Sequence, residues 1–372
     1  MDNPLNKIFS LGKAAFSKPK EESAVGIDIG SSSIKVVQIK KKKGKALLET
    51  YGTLSLGPYA SAEVGKLTNL PEEALSKALA DVIRESGVTT KRAGLAVPSS
   101  ASLIFVLSLP KTIGEKELRP VIETEARKYI PVSISEVALD FWQIPEREAE
   151  RGDSEFVDSG AKQDILVAAI HNETLEKYSN VAKTANISPE LLEIEVFSAI
   201  RSSLNHELST VLLVDIGAMK SKLTIVEYGI VRLFHVINRG SHDITNSIST
   251  SLSMNFESAE KAKRDIGLTG IGEDRKVSDV AKISIDYIFS EVNTVITTYE
   301  RKYQRPISKI IFVGAGSLLK GLDQYAKAVF KSDIELGAAF DKVESPAFLK
   351  DVLKEAGPEF AVATGLALRI LE

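Results

Sequence analysis

Two runs of the chain carry the same three residues, Asp28-Ile29-Gly30 and Asp215-Ile216-Gly217. Each ends an apolar stretch, so each aspartate belongs at a strand end and each glycine in a turn. An acid followed by a turn of small residues suits phosphate and a hydrated metal. Gly30 lets the backbone approach, and the amides of Ser31, Ser32 and Ser33 can serve phosphate oxygens. Asp28 and Asp215 can each hold Mg²⁺, which keeps most of its water, and Lys35 adds positive charge. One such turn is equally well an ordinary hairpin turn. Two turns, about half a chain apart, suggest two related lobes whose turns (Gly217 and Ala218 in the second) grip one triphosphate from both sides. Asp215 is then the better candidate to orient water.

A third glycine turn follows the buried run Ile311-Phe312-Val313. In Gly314-Ala315-Gly316-Ser317, and on to Gly321, glycines would let backbone pass close to a flat base and ribose and open a helix toward phosphate. Arg239-Gly240-Ser241 is a further glycine turn ahead of a helix.

The elements that must position these turns are alternating strands and helices. Around the first turn, strands are predicted over Val25–Ile29, Ile34–Ile39 and Ala46–Leu54, and a helix over Pro71–Ser86 ended by Gly87. The second turn has the same surroundings: Val211–Ile216, then Lys222–Tyr228, then Ile230–Asn238. Later helices are predicted over Ser241–Ser251, Phe256–Ile266, Val277–Tyr303 and Ala361–Leu371, the last with Gly365 allowing close packing. Between the repeats lies a unit with strands Leu103–Leu109, Ala138–Ile144 and Asp164–Ile170, a helix Glu115–Tyr129 stopped before Pro131, and a charged loop over Pro145–Gln163. The expected division is a tail at 1–23, a first lobe at 24–97 and 181–210, an inserted subdomain at 98–180, a second lobe at 211–357 and a terminal first-lobe helix at 358–372. The tail reads either as a short amphipathic helix for a membrane or partner, or as a frayed end.

Composition excludes several alternatives. With no cysteine there is no disulfide scaffold, thiolate metal site or cysteine nucleophile. A net charge of −3 offers no global attraction for nucleic acid. No apolar run is long enough to span a membrane and no secretory leader is visible, so a cytoplasmic location is expected. His171, His206, His235 and His242 lack metal-ligand spacing.

The order of phosphate hairpin, second phosphate hairpin and adenosine loop over residues 24 to 372 resembles the actin, heat-shock chaperone and sugar kinase superfamily. The resemblance implies an α/β, actin-like two-lobed (ribonuclease H-like) fold with ATP and Mg²⁺ between the lobes. It places Glu195 where the chaperone ATPases have a catalytic glutamate, and Glu260, Lys263 and Arg264 on a helix like their adenosine-contacting one. Both segments also read as a capping glutamate and as charge pairs on a solvated helix face. The insert, with Glu125-Ala126-Arg127-Lys128-Tyr129-Ile130-Pro131 and Val137–Gln143, resembles that of the FtsA/PilM branch. FtsA-type chains continue into a linker and membrane helix, whereas the last predicted helix here runs to the end at Glu372, so the PilM family is the expectation. That resemblance implies a cytoplasmic, ATP-binding adaptor, peripheral to the inner membrane, in type IV pilus assembly. Its implied partner is the N-terminal cytoplasmic peptide of a PilN-like membrane protein, with pilus motor components and self-association as further candidates. An FtsA- or MreB-like filament is the alternative, and a small-molecule kinase is disfavoured because no substrate-binding base is visible. After Gly217, Ala218-Met219-Lys220 replaces the glycine and threonine of hydrolysing members. Holding ATP, with at most weak ATPase activity, is therefore expected over turnover.

Overall fold

The structure is a computed structural model that describes residues 22–145, 162–205 and 209–372. Most of the tail, read as a short helix or a frayed end, most of the charged 145–163 loop and His206 lie outside the described residues. Strands β1 (Glu22–Ile29), β2 (Ser33–Lys42), β3 (Lys45–Ser55), β4 (Arg92–Val97) and β8 (Ser188–Ile194) form one sheet in the order β3-β2-β1-β4-β8. Strands β9 (Thr210–Ile216), β10 (Ser221–Glu227), β11 (Ile230–Ile237), β12 (Lys309–Val313) and β13 (Asp333–Leu336) form a second in the matching order β11-β10-β9-β12-β13. In both, an antiparallel meander is extended by parallel strands. The self-similarity of the sequence is thus a repeated sheet.

The central strands are apolar because they are covered on both faces. In β9, Leu212, Val214 and Ile216 pack with the helices α5 (Ser241–Leu252) and α7 (Arg275–Tyr303), while Val211 and Leu213 face the other way. In β1, Val25 and Ile27 pack with α1 (Glu72–Glu85) and α3 (Asn172–Thr184). Ala24 and Gly26 face α10 (Ala361–Leu371), to which Ala24 packs at Ala363 and Ala367. Helices α4 (Glu195–Ser203) and α10 share one cluster with strand residues of both sheets, Ala96 and Leu191 from the first and Val211, Leu213, Ile311 and Val313 from the second. They form the layer between the sheets.

The insert is a three-stranded antiparallel sheet, β5 (Ser102–Pro110), β7 (Lys162–His171) and β6 (Val137–Gln143) in spatial order, with α2 (Glu115–Ala126) on one face. Helix α2 stops at Ala126 and not at Tyr129. Lys128 and Tyr129 continue as turns onto Glu125 and Ala126, because the residue before Pro131 is pushed out of the helical region. The chain also returns to the first sheet earlier than the expected boundary at 357: Phe340, Val343 and Leu353 pack with Val37 and Ile39, and Glu344 bonds the backbone of β3. Strands β8 and β13 and the helix α9 (Lys350–Ala356) have no counterpart among the predicted elements, and the helix expected after the third glycine turn is α8 (Leu322–Val329). Helix α6 spans Phe256–Ile266, as expected. Among the described residues no helix is long and apolar enough to cross a membrane.

Candidate functional site

The two Asp-Ile-Gly turns open onto one cleft of about 770 Å³ between the lobes. They are built alike. The amide of Gly30 donates to the carbonyl of Ser33 at 3.0 Å, and that of Gly217 to the carbonyl of Lys220 at 3.0 Å. Across each hairpin the aspartate faces a lysine in register, Asp28 with Lys35 and Asp215 with Lys222. Ser31 is held from outside the turn by the amide of Thr68 at 2.8 Å.

Most of the residues singled out in the sequence line this cleft: Asp28, Gly30, Ser31, Ser32, Ser33, Lys35, Glu195, Asp215, Gly217, Ala218, Ser241, Glu260, Lys263, Arg264, Gly314, Ala315 and Gly316. Two do not. Ser317 is buried and spends its hydroxyl on the carbonyl of Gly314. Gly240 packs under the second turn, where a Cβ would come within 2.4 Å of the Ala218 carbonyl oxygen. The first amides of α5 are likewise committed, Ser241 to the Gly217 carbonyl and His242 to that of Ala218, each at 2.9 Å. This helix start braces the second turn and does not present those amides to a ligand.

The third turn also differs from expectation. No α-helix opens at Gly316. Residues Ala315–Leu318 form a single 3₁₀ turn, and α8 begins only at Leu322, capped by Gly321 at φ +80°. The turn's contribution is close approach. Gly314 has φ +82°, and a Cβ there would lie 2.3 Å from Oδ1 of Asp215 and 2.6 Å from the Ile216 carbonyl oxygen. Gly314→Ala is therefore expected to lose about 2 kcal/mol or more through backbone strain and overpacking, seen as a lower thermal midpoint. A variant melting with the parent would contradict this account of the turn.

The electrostatics of the floor centre on a residue that sequence reasoning passed over. The Lys222 ammonium lies 2.6 Å from Oδ2 of Asp215 and 2.9 Å from Oε2 of Glu195. Burial opposes its charge, but the two carboxylates hold its pKa well above the ordinary lysine value. Glu195 sits at the start of α4. Burial pushes its carboxyl up, yet Lys222 and the Ser99 amide, 2.7 Å from Oε1, more than offset that and hold it below the usual range. Ser99, at the entry to the insert, was also missed. Lys222 had a signal in the sequence: it follows Asp215 at the spacing by which Lys35 follows Asp28. Lys35 itself donates to the Ser33 hydroxyl at 2.9 Å and stands 3.9 Å from Glu359. Burial raises the Asp28 carboxyl to about 6, only partly countered by Lys35.

At the second-lobe wall, Glu260 accepts from Thr245 at 2.6 Å, Lys263 at 2.6 Å and Arg264 at 2.7 Å. Burial acts to raise its carboxyl, but Lys263 and these donors bring it below the ordinary value. Burial lowers the Lys263 ammonium. Gly65, in the first lobe, lies against Glu260, where a Cβ would come within 2.9 Å of its carboxyl carbon. The lobes therefore touch at this wall as well as at the floor.

The donor set can be tested against Mg²⁺, which takes one or two carboxylates and keeps waters. Asp28 fits that description. Asp215 does not, since its Oδ2 is engaged by Lys222 and its Oδ1 lies against Gly314. Among the described residues no group of three or more acidic, histidine or cysteine side chains is arranged to hold a metal.

A family model described as type IV pilus assembly protein PilM matches residues 26–371. The chain belongs to the PilM family. Its fold is also that of a solved PilM-PilN type IV pilus biogenesis complex, with a TM-score of 0.77 at 24% identity over 94% of this chain and 98% of that one. The ethanolamine utilization protein EutJ from Carboxydothermus hydrogenoformans matches with a TM-score of 0.54 at 15% identity, covering 98% and 94%. MreB 5 of Spiroplasma citri, solved bound to AMPPNP, matches with a TM-score of 0.51 at 13% identity, covering 95% and 97%. At these identities the structures establish the architecture alone: this PilM-family chain has the actin-like two-lobed fold.

Proposed function

We propose that this PilM-family chain is an ATP-binding adaptor of the type IV pilus assembly platform that engages the cytoplasmic N-terminal peptide of a PilN-like inner-membrane protein. The observation that carries the nucleotide half is the pair of matching hairpins, Gly30–Ser33 and Gly217–Lys220, opening onto one cleft from opposite lobes. Backbone amides fixed before a ligand arrives bind phosphate without reorganisation cost. In this reading the triphosphate lies between the hairpins near Lys35, and the ribose and base pass Gly314–Gly316 toward Glu260, Lys263 and Arg264. Asp28 would hold a hydrated Mg²⁺, whose contribution is to neutralise phosphate charge.

Retention is favoured over turnover. Met219 brings no hydroxyl to the second turn. Asp215 and Glu195, the two carboxylates that could orient or activate water, both bind Lys222. The partner half of the reading is supported by the PilM family match and by the likeness to a PilM that was solved in complex with PilN. The test is titration of the purified chain with a fluorescent ATP analogue and, separately, with a PilN-like N-terminal peptide. Dissociation constants below a millimolar are expected for both (about −4 kcal/mol or better), with ATP hydrolysis near background. No binding of either ligand, or release of phosphate at many turnovers per minute, would sink this reading.

A further inference from the structure

The two lobes repeat the same aspartate and lysine positions but use the second lysine differently. Lys35 and Lys222 occupy the same register opposite Asp28 and Asp215. Lys35 donates to a serine hydroxyl of its own turn and stands off from Glu359. Lys222 instead bridges two carboxylates from different lobes, Asp215 of β9 and Glu195 of α4. Its side chain and both partners are nearly enclosed, each 13 or 14% exposed. Glu195 is fixed from behind by the Ser99 amide, so it is held in place to receive the lysine.

We propose that Lys222 is a resident counter-ion that fills, between Asp215 and Glu195, the place a divalent cation would need, so that this cleft takes up a nucleoside polyphosphate with little dependence on metal. The physical reason is charge at close range. The cleft floor holds the carboxyl groups of Asp28, Glu195 and Asp215, with Glu359 beside Lys35, against the ammonium groups of Lys35 and Lys222. An incoming polyphosphate adds several negative charges to a water-poor site, where unscreened repulsion is strong. A cleft whose second aspartate was bare would need Mg²⁺ to admit it. Here a tethered cation is already seated 2.6 Å from that aspartate, and its two ion pairs leave no vacant carboxylate pair to recruit a metal. The same contact ties the second lobe to the start of α4.

The proposal rests on the nucleotide reading above, and the experiment separates the two. Full-length protein is compared with Lys222→Met and Lys222→Arg in two measurements. The first uses no nucleotide: Mn²⁺ binding is followed by electron paramagnetic resonance and by thermal shift with Mn²⁺ or Mg²⁺ alone. The expected result is no binding by the parent or the arginine variant at about a millimolar metal, and binding with a raised midpoint in Lys222→Met, where two carboxylates face one another. The second titrates a fluorescent ATP analogue in EDTA and in Mg²⁺. Parent affinity should change by less than about threefold between buffers, whereas Lys222→Met should weaken about tenfold or more in EDTA and recover in Mg²⁺. A parent that loses tenfold or more on metal removal overturns the proposal without any variant. So does a folded Lys222→Met that takes up no metal. Should that variant not fold, Lys222→Gln, which keeps a hydrogen-bond donor between the carboxylates, is put through the same measurements. A parent that binds no nucleotide in either buffer sinks the ATP reading, and the metal-only measurement still decides what Lys222 does.

Discussion

Asp28→Asn should make the protein more stable at pH 7 while removing the carboxylate that the nucleotide reading assigns to the metal. Burial raises the Asp28 carboxyl from 3.8 to about 6, with Glu195 and Asp215 adding repulsion and Lys35 and Lys222 opposing it. A raised carboxyl is better protonated in the folded state than in the unfolded one. Its favourable contribution is full below about pH 4, declines as pH rises through about 6, and is gone above that. Two pH units of difference correspond to about 3 kcal/mol, an upper figure because the amide also forgoes the attraction of Lys35. The parent should therefore lose stability between pH 4 and 6.5 relative to the variant, and the variant should melt a few degrees higher at pH 7.5. The two should converge near pH 4. Thermal melts at both pH values check this, and a variant that melts lower at pH 7.5 refutes it. In the same samples, the Mn²⁺ taken up together with the fluorescent ATP analogue, read by electron paramagnetic resonance, should fall by about tenfold if Asp28 holds the metal through water, while affinity for the analogue itself changes by less than about threefold. Gain of stability with loss of metal is the signature of a site whose strain serves binding, and it separates a functional carboxylate from a structural one.

Gly365→Ala should be the most damaging conservative change in the layer between the sheets. A Cβ on Gly365 would lie 1.9 Å from the carbonyl oxygen of Ser198 and 2.9 Å from its Cα. Both atoms are backbone, so no side chain can swing aside and the two helices must separate. The same crossing carries the Gly365 carbonyl, which accepts from Arg201 at 3.2 Å, and Arg201 in turn holds the buried Glu193 at 2.7 and 2.8 Å. Forcing one methyl group into such a contact costs about 3 kcal/mol, at the upper end for overpacking, before any loss from the Glu193 ion pair. Chemical denaturation should show the loss as a lower midpoint with an unchanged slope. Glu195 is the first residue of α4 and Ser198 is in its first turn, so displacement of α4 should also move Glu195 off Lys222 and weaken cleft ligands. Gly114→Ala is the control, since nothing lies within 4 Å of a Cβ built there. Equal stability of the two variants would mean that α4 and α10 are not locked by this contact.

The hairpins were legible in the sequence because their geometry is local. An Asp-Ile-Gly turn sets a register over a few residues, and the same letters at 28 and 215 folded into the same turn, with Gly30 bonded to Ser33 and Gly217 to Lys220. The terminal helix Ala361–Leu371 was equally readable, since its apolar run and Gly365 reflect burial all round and a close neighbour. Elements without such patterns were not readable. Strand β8 begins Ser188-Pro189-Glu190 and owes its place to pairing with β4, a contact from far along the chain. The glycine run at Gly314 announced a close approach, but only the packed structure decided that the atom approached is Asp215 and that the next helix waits until Leu322. The sequence by itself determined two matched Asp-Ile-Gly turns and the lobes that carry them. Tertiary structure decided that their lysines differ. Lys35 stays with its own turn, while Lys222 reaches Glu195 because α4 brings that carboxylate across from the other lobe, and no spacing along one strand encodes where a helix between two sheets will set its first residue.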